Sequence, residues 1–270
     1  MNTGKKNAGI NINSFTDIHC HILPNIDDGA KNIDTSIKMA SIAVSEGIDR
    51  IIATPHFDPG TDNIEVFLEK RNNALAALKS ELEACNIDID IIPGAEVYLS
   101  PALINMEGLE QLCLGDSRYL LAEMPFTLVP QWLDEILYSI QLKGITPILA
   151  HPERSVKVIK EPHILDEIVR NGTMLQLNAS SICHMKNRQL RKCIKYLFGS
   201  GMVHFIATDA HSTLNRKPVI QPALDIISEM HGRDMAEYLL ENARVLGNGG
   251  IVEKRPCVEY RPGLWERLFG

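Results

Sequence analysis

Hydrophobic and polar positions along this chain follow a regular rhythm, in which short apolar runs alternate with longer amphipathic stretches. The runs at 14–18, 50–54, 87–93, 118–122, 145–150, 173–177 and 203–208 are β-branched or apolar and read as buried strands. Between them apolar residues recur every three or four positions, the period of a helix face. Ile33, Ile37, Ala40, Val44 and Ile48 make the first such stripe, with Gly47 marking its end. Val66, Leu68, Leu75, Leu78 and Leu82 predict a second helix over 64–85. A third runs over 130–143, opening on a proline and stopping at Gly144, and others are expected at 163–171, 187–198 and 219–230.

Strands that alternate with helices pair in parallel, and nearly continuous apolar strands fit a sheet covered by helices. Seven such units predict an α/β fold closed, or nearly closed, into a barrel; an open doubly wound sheet is the structural alternative. No linker or composition shift divides the chain. The glycines at 247–250 read as a turn before a short tail.

Composition narrows the function classes. The 270 residues, 45% hydrophobic, are enough for one barrel-sized domain. Lys and Arg number 27 against 34 Asp and Glu, a formal net charge of -7 without a basic block. That balance argues against a nucleic-acid partner and against electrostatic attachment to anionic lipid. Residues 1–14 lack the apolar run of a signal peptide, and no stretch is long and apolar enough for membrane insertion. The six cysteines are scattered without a CxxC pair, as expected of reduced thiols in a cytoplasmic protein.

The chemistry lies in where the acids and histidines fall. The first run leads into Asp17-Ile-His19-Cys-His21, the second into His56, the third into Glu96 and the fourth into Glu123. The fifth leads into His151-Pro-Glu-Arg154, and the seventh into Asp209-Ala-His211. In α/β barrels the C-terminal strand ends open onto one face, so these residues are expected to converge. His19 and His21, two apart, point to one side, whereas Cys20 points away and His204 faces the helices. An HxH alone is weak evidence, and single carboxylates usually serve surface ion pairs. Five of the nine histidines fall at strand ends, however, and this joint placement favours a metal site. His163, His184, His204 and His231 receive no role. Asn178 lines the pocket or caps a helix, and Asp27-Asp28-Gly29 is a turn that places Asp28 near the HxH.

Imidazole with carboxylate suits Mn, Fe or Zn, and bridging carboxylates let one pocket hold several ions. Such a cluster suits phosphate ester hydrolysis, with Arg154 and Arg216 as planar forks for phosphate.

The string DIHCHILPNIDDGAKN, followed in order by ATPHF, PGAEVYL, HPER and TDAH, resembles the polymerase-and-histidinol-phosphatase (PHP) superfamily. More closely, it resembles the bacterial manganese-dependent protein-tyrosine phosphatases of capsule and exopolysaccharide loci. The resemblance covers 16–250, leaving an N-terminal extension at 1–15 and a tail at 251–270. It implies a single-domain, distorted (β/α)7 TIM-like barrel with a three-metal manganese cluster, for which Fe, Zn or Mg are alternatives. By that resemblance His19, His21, Glu96 and Asp209 hold the first ion. Glu96 bridges to a second, held by Glu123 and His151, and Asp28, His56 and His211 hold the third. It further implies attack on phosphorus by a metal-held hydroxide, with Arg154 and Arg216 gripping the phosphoryl group. The implied partner is a phosphotyrosine-bearing bacterial tyrosine kinase. Competing expectations are a histidinol-phosphatase-type enzyme, an amidohydrolase and a binding module that grips a phosphorylated tail. No Lys ends any of the seven runs, which argues against an amidohydrolase with a carbamylated lysine; a complete ligand set argues against the binding module.

Overall fold

The apolar runs become strands that pair only in parallel within the residues described, 14–185 and 187–260 of this computed structural model. In chain order the strands are β1 (Phe15–Cys20), β2 (Ile48–Ala53), β3 (His56–Phe57), β4 (Asp90–Pro93) and β5 (Glu96–Tyr98). They continue with β6 (Tyr119–Glu123), β7 (Thr146–Ala150), β8 (Met174–Asn178) and β9 (Val203–Ala207). The ladder forms two sheets, ordered β1-β2-β4 and β3-β5-β6-β7-β8-β9.

This differs from the single sheet of seven strands expected from the pattern, and the reason is local. The second and third runs each stop and restart. Pro55, which has no N–H to give a ladder, separates β2 from β3, and Gly94 separates β4 from β5. A Cβ at Gly94 would lie 2.8 Å from Ile52 and 2.9 Å from Leu114, so only glycine lets the chain cross there. Single hydrogen bonds carry the pairing across each break, from Gly94 N to Ala53 O (2.9 Å) and from Glu96 N to Pro55 O (3.1 Å). On the far side, β1 reaches the segment that follows β9 through a Cys20–Ala210 bridge. There Asp17 accepts from Thr208 N at 3.0 Å and from Thr208 Oγ1, which pins the two strands together.

Helices cover the sheets. They are α1 (Ile33–Ser45), α2 (Ile64–Ala84), α3 (Leu133–Leu142), α4 (Val156–Lys160), α5 (Asp166–Arg170) and α6 (Ala179–Cys183), then α7 (Arg188–Gly199), α8 (Gln221–His231) and α9 (Arg233–Gly247). Asn32, Asn63 and Asn187 cap α1, α2 and α7 with side-chain oxygens that accept first-turn N–H groups. The pattern did not predict α9. It follows α8 after Gly232 alone, so no loop or strand separates the two and the alternation breaks. Its buried Met235, Ala236, Leu239, Ala243 and Leu246 nonetheless keep helical spacing.

Beyond α9 the chain stays docked through residue 260. Val252 N donates to Tyr119 Oη (2.9 Å), and Val258 N donates to Ser200 O (3.0 Å). The rest of the tail expected at 251–270 lies outside the described residues, as does the N-terminal extension apart from Ser14 and Phe15, the latter already in β1.

His204, expected from parity to face the helices, lies outside the groups of converging ligand atoms. It is buried, and its Nδ1 accepts from Leu175 N at 3.2 Å, while its carbonyl accepts from Asn242 on α9. Burial, with Lys254 adding to it, lowers the imidazole to about 4. The unfolded chain therefore binds more protons here than the folded one between about pH 6.5 and 4. Stability from a neutral His204 is full above that window and falls as pH drops through it. Urea denaturation at pH 7.5 and pH 5 should show about 2 kcal/mol more acid-induced loss in the parent than in His204→Gln. Equal losses would show that His204 does not carry the effect.

Candidate metal centre

The restarts and crossings described above bring the candidate residues to one end of the sheets. His19 lies in β1 and His21 just past it; His56 opens β3, Glu96 opens β5 and Glu123 ends β6. His151 follows β7, and Asp209 and His211 follow β9. The β3–β5 register sets His56 directly beside Glu96. Asp28 sits in the turn after β1. There Gly29 is required, because a Cβ would collide with the His21 backbone, and Ala30 N donates to His21 O at 3.1 Å.

Glu96 is the hub. Its Oε2 lies 3.2 Å from His19 Nε2, 3.2 Å from His21 Nε2 and 3.1 Å from His56 Nδ1, and its Oε1 lies 2.8 Å from His151 Nε2. Asp209 Oδ1 stands 3.5 Å from His19 Nε2. His151 Nε2 is 3.6 Å from Glu123. At the outer edge Asp28 Oδ1 is 3.4 Å from His56 Nε2 and 3.3 Å from His211 Nε2. Burial alone would raise the Glu96 carboxyl, but His19 and His151 outweigh it and hold it well below the usual carboxylate range. Asp209 is likewise lowered, burial being overcome by His19 and His151. Glu123 goes the other way, raised by burial and by the charge of Glu96.

The donor set fits divalent cations, and hydrogen bonding shows why. His21 Nδ1 donates outward to Asp27 Oδ2 (2.7 Å), and His211 Nδ1 donates outward to Asp209 O (3.0 Å). Burial, with His21 adding to it, lowers His211 to about 4, so it is neutral at pH 7 and its Nε2 carries only a lone pair. That lone pair faces the Asp28 carboxylate, acceptor against acceptor. Glu96 Oε2 is buried with no hydrogen-bond partner among the described residues. The facing acceptors of His211 and Asp28, and a buried Glu96 that raises His19, His21 and His56 against the effect of their burial, all draw positive charge, which a metal ion would supply. Four overlapping groups bring their ligand atoms within 4.8 Å of one another: His21/Asp28/His56/His211, His19/His21/Asp209, His19/Glu96/His151 and His56/Glu96/Glu123. Their overlap suits several ions sharing ligands.

Two of these residues stand in the left-handed region that non-glycine residues rarely adopt, His151 at φ 31° and Asp209 at φ 51°. Strain at such positions clusters at functional sites. Arg154 and Arg216 border the cluster and are partly exposed. Arg216 Nη2 donates to Asp209 Oδ1 (2.7 Å), and Arg154 Nη1 donates to Asp209 Oδ2 (3.3 Å). The Arg154 guanidinium also lies 4.4 Å over the Phe126 ring.

The other histidines stay apart: His163 and His184 are exposed, and His231 stacks on Phe198 at 4.5 Å. Cys20 is buried in the core. Asn178 makes no side-chain cap and instead donates to Asp209 Oδ2 at 2.6 Å, so it belongs to the pocket. Asp27, read from sequence only as part of a turn, supports the site by accepting from His21, Gly29 N and His56 N. Gln176 also went unnoticed. Its signal was the alternation in β8, where buried Gln176 and Asn178 share a face between leucines.

A family model described as "Capsular polysaccharide synthesis, CpsB/CapC" matches residues 15–246. "Tyrosine-protein phosphatase YwqE" of Bacillus subtilis (strain 168) is 34% identical over 255 residues, covering 94% of this chain and 98% of its own. "Tyrosine-protein phosphatase CpsB" of Streptococcus pneumoniae is 29% identical over 235 residues, covering 84% of this chain and 96% of its own. The chain also superimposes on a solved structure with a TM-score of 0.84 at 32% identity, covering 92% of this chain and all of the other. That structure is described as "Crystal structures of YwqE from Bacillus subtilis and CpsB from Streptococcus pneumoniae, unique metal-dependent tyrosine phosphatases". The β-aspartyl dipeptidase of Fervidobacterium islandicum AW-1 shares only the fold, with a TM-score of 0.50 at 12% identity over 90% of this chain and 78% of its own. On the family match and this identity, the chain belongs to the CpsB/CapC family of capsular polysaccharide synthesis proteins.

Proposed function

We propose that this chain is a metal-dependent protein-tyrosine phosphatase whose substrate is a phosphotyrosine-bearing bacterial tyrosine kinase of capsule or exopolysaccharide synthesis. The observation that carries the reading is the buried acceptor cluster around Glu96, bordered by two arginines that meet on Asp209. The relatives' names support the phosphotyrosine, and the family's name supports the capsule context. His19, His21, Glu96 and Asp209 would hold one ion, Glu96, Glu123 and His151 a second, and Asp28, His56 and His211 a third. The overlapping ligand groups support this division, and the mixed imidazole and carboxylate donors support Mn²⁺. The catalytic domain spans 16–250, its two sheets being the halves of a distorted (β/α)7 barrel; the Cys20–Ala210 bridge and the crossings at Pro55 and Gly94 support the closure. The six free cysteines support a cytoplasmic setting.

Bound divalent ions supply Lewis acidity toward the phosphoryl oxygens and toward an attacking water. The chain's own residues do the rest. Arg154 and Arg216 are permanently charged and present planar N–H forks that match a phosphoryl group. Both are pre-ordered by Asp209, and Arg154 also by Phe126, so little side-chain freedom is lost when the dianion enters.

The direct test is phosphate release from a phosphotyrosine peptide. Activity should be strongly stimulated by Mn²⁺ and abolished by a chelator, and it should exceed that on small alkyl phosphates. Turnover that persists after exhaustive chelation would refute the metal reading, and a preference for alkyl phosphates would refute the phosphotyrosine. Arg154→Ala should lower kcat/KM by about 100-fold, or ~2.7 kcal/mol, with metal content unchanged, while His151→Ala should lose both metal and turnover. Metal loss in the Arg154 variant, measured by elemental analysis, would assign Arg154 to the cradle instead.

A further inference from the structure

Behind the cluster, β8 carries two buried amides that form an unbroken line from Asp209 to His19. Asn178 Nδ2 lies 2.6 Å from Asp209 Oδ2, Gln176 Nε2 lies 2.9 Å from Asn178 Oδ1, and Gln176 Oε1 lies 3.0 Å from His19 Nδ1. Gln176 and Asn178 are two residues apart on one strand, so both face inward. The direction of each bond follows from chemistry at one end. An ionised Asp209 can only accept, so Asn178 must turn its NH2 toward it. Asn178 Oδ1 then faces Gln176 and must accept, which fixes the Gln176 NH2 in turn. Gln176 Oε1 is thereby left facing His19 Nδ1, and that nitrogen must carry a hydrogen. In the neutral ring the lone pair is then on Nε2, the atom aimed at Glu96, His21 and Asp209.

We infer that Gln176 and Asn178 are positioning residues: a two-amide relay through which Asp209 sets the tautomer and orientation of His19 and so readies it as a metal ligand. Reversing either amide would set acceptor against acceptor or donor against donor inside a buried network, which is strongly disfavoured. Asn178 is fixed a second time by its backbone N–H, which donates to the buried carboxylate of Glu153 at 2.9 Å. The relay therefore couples β1, β8 and the loop after β9 without itself contacting an ion. It rests on the metal reading of the site.

The test titrates metal-free protein with Mn²⁺ by calorimetry, thermal melting of each metal-free variant serving to establish folding. Gln176→Met conserves volume and removes both amide bonds; it should bind Mn²⁺ roughly 10- to 100-fold more weakly than the parent. Gln176→Glu keeps an acceptor for His19 Nδ1 and, protonated in this buried position, an O–H donor for Asn178 Oδ1, so it should lose clearly less. Asn178→Ala should also weaken binding, and adding it to Gln176→Met should cost less than the sum of the two, because a relay acts as a unit. Parent-like affinity in Gln176→Met overturns the relay, as do equal losses in the Met and Glu variants or additive losses in the double variant. Should Gln176→Met not fold, the Glu and Asn178 variants carry the test: a loss with Gln176→Glu as large as with Asn178→Ala then overturns it. A parent protein that does not bind Mn²⁺ overturns the metal reading itself, and the relay with it.

Discussion

Everything in this molecule is arranged around a carboxylate that should not be where it is. Glu96 is 1% exposed, and an isolated ionised carboxylate at that depth would carry a desolvation penalty of several kcal/mol. It stays ionised because four imidazoles converge on it, from β1, the turn after β1, β3 and the loop after β7. The converse also holds, since all four imidazoles are crowded and three of them, His19, His21 and His151, are buried, and Glu96 is the shared charge that makes their approach favourable. Removing either side leaves the other unpaired in a low-dielectric setting, so the cluster stands or falls as a unit.

The irregularities of the fold follow from that requirement. Uninterrupted strands would carry His56 and Glu96 along β2 and β4, in the smaller sheet. The breaks at Pro55 and Gly94 move both residues into the larger sheet and pair them with each other. Closure on the opposite side depends on Asp17, a buried acid that takes no part in the cluster. Burial raises its pKa to about 6 against the hydrogen bonds from Thr208, and those bonds tie β1 to β9 one residue before Asp209. A polar group placed in the core in this way serves geometry: it fixes the distance between the strand that carries His19 and the loop that carries Asp209.

The sequence made the large features legible because they repeat. Seven strand positions, the three Asn-capped helices and the convergence of His19, His56, Glu96, His151 and Asp209 could be read from period and strand-end placement. What it hid was non-periodic or relational. The restart at β3 is two residues long, too short for any alternation to register, and α9 escaped because a single glycine separates it from α8. Asp27 looked like turn chemistry because its role depends on His21 folding back over it. Gln176 is neither charged nor a common ligand, and its meaning appears only when His19, from 157 positions away, meets it at hydrogen-bond distance.

The strained residues show how the pieces hold one another. A non-glycine residue in the left-handed region costs of order 1–3 kcal/mol and persists only where its surroundings over-determine it. Asp209 is such a residue, and it is gripped from every side. Its N–H donates to His19 O, its carbonyl accepts from His211, and its carboxylate takes Asn178, Arg154 and Arg216. Each contact serves a different part of the site: strand closure, the outer histidine, the amide pair behind the cluster and the arginines at its border. A relaxed backbone at 209 could not satisfy all of them, because a continuing strand would carry the carboxylate past them. The strain is therefore the geometric consequence of making one residue answer to both the buried cluster and the arginines beside it. That shared dependence keeps the arginines proposed to grip phosphate in register with the groups that would hold the metal.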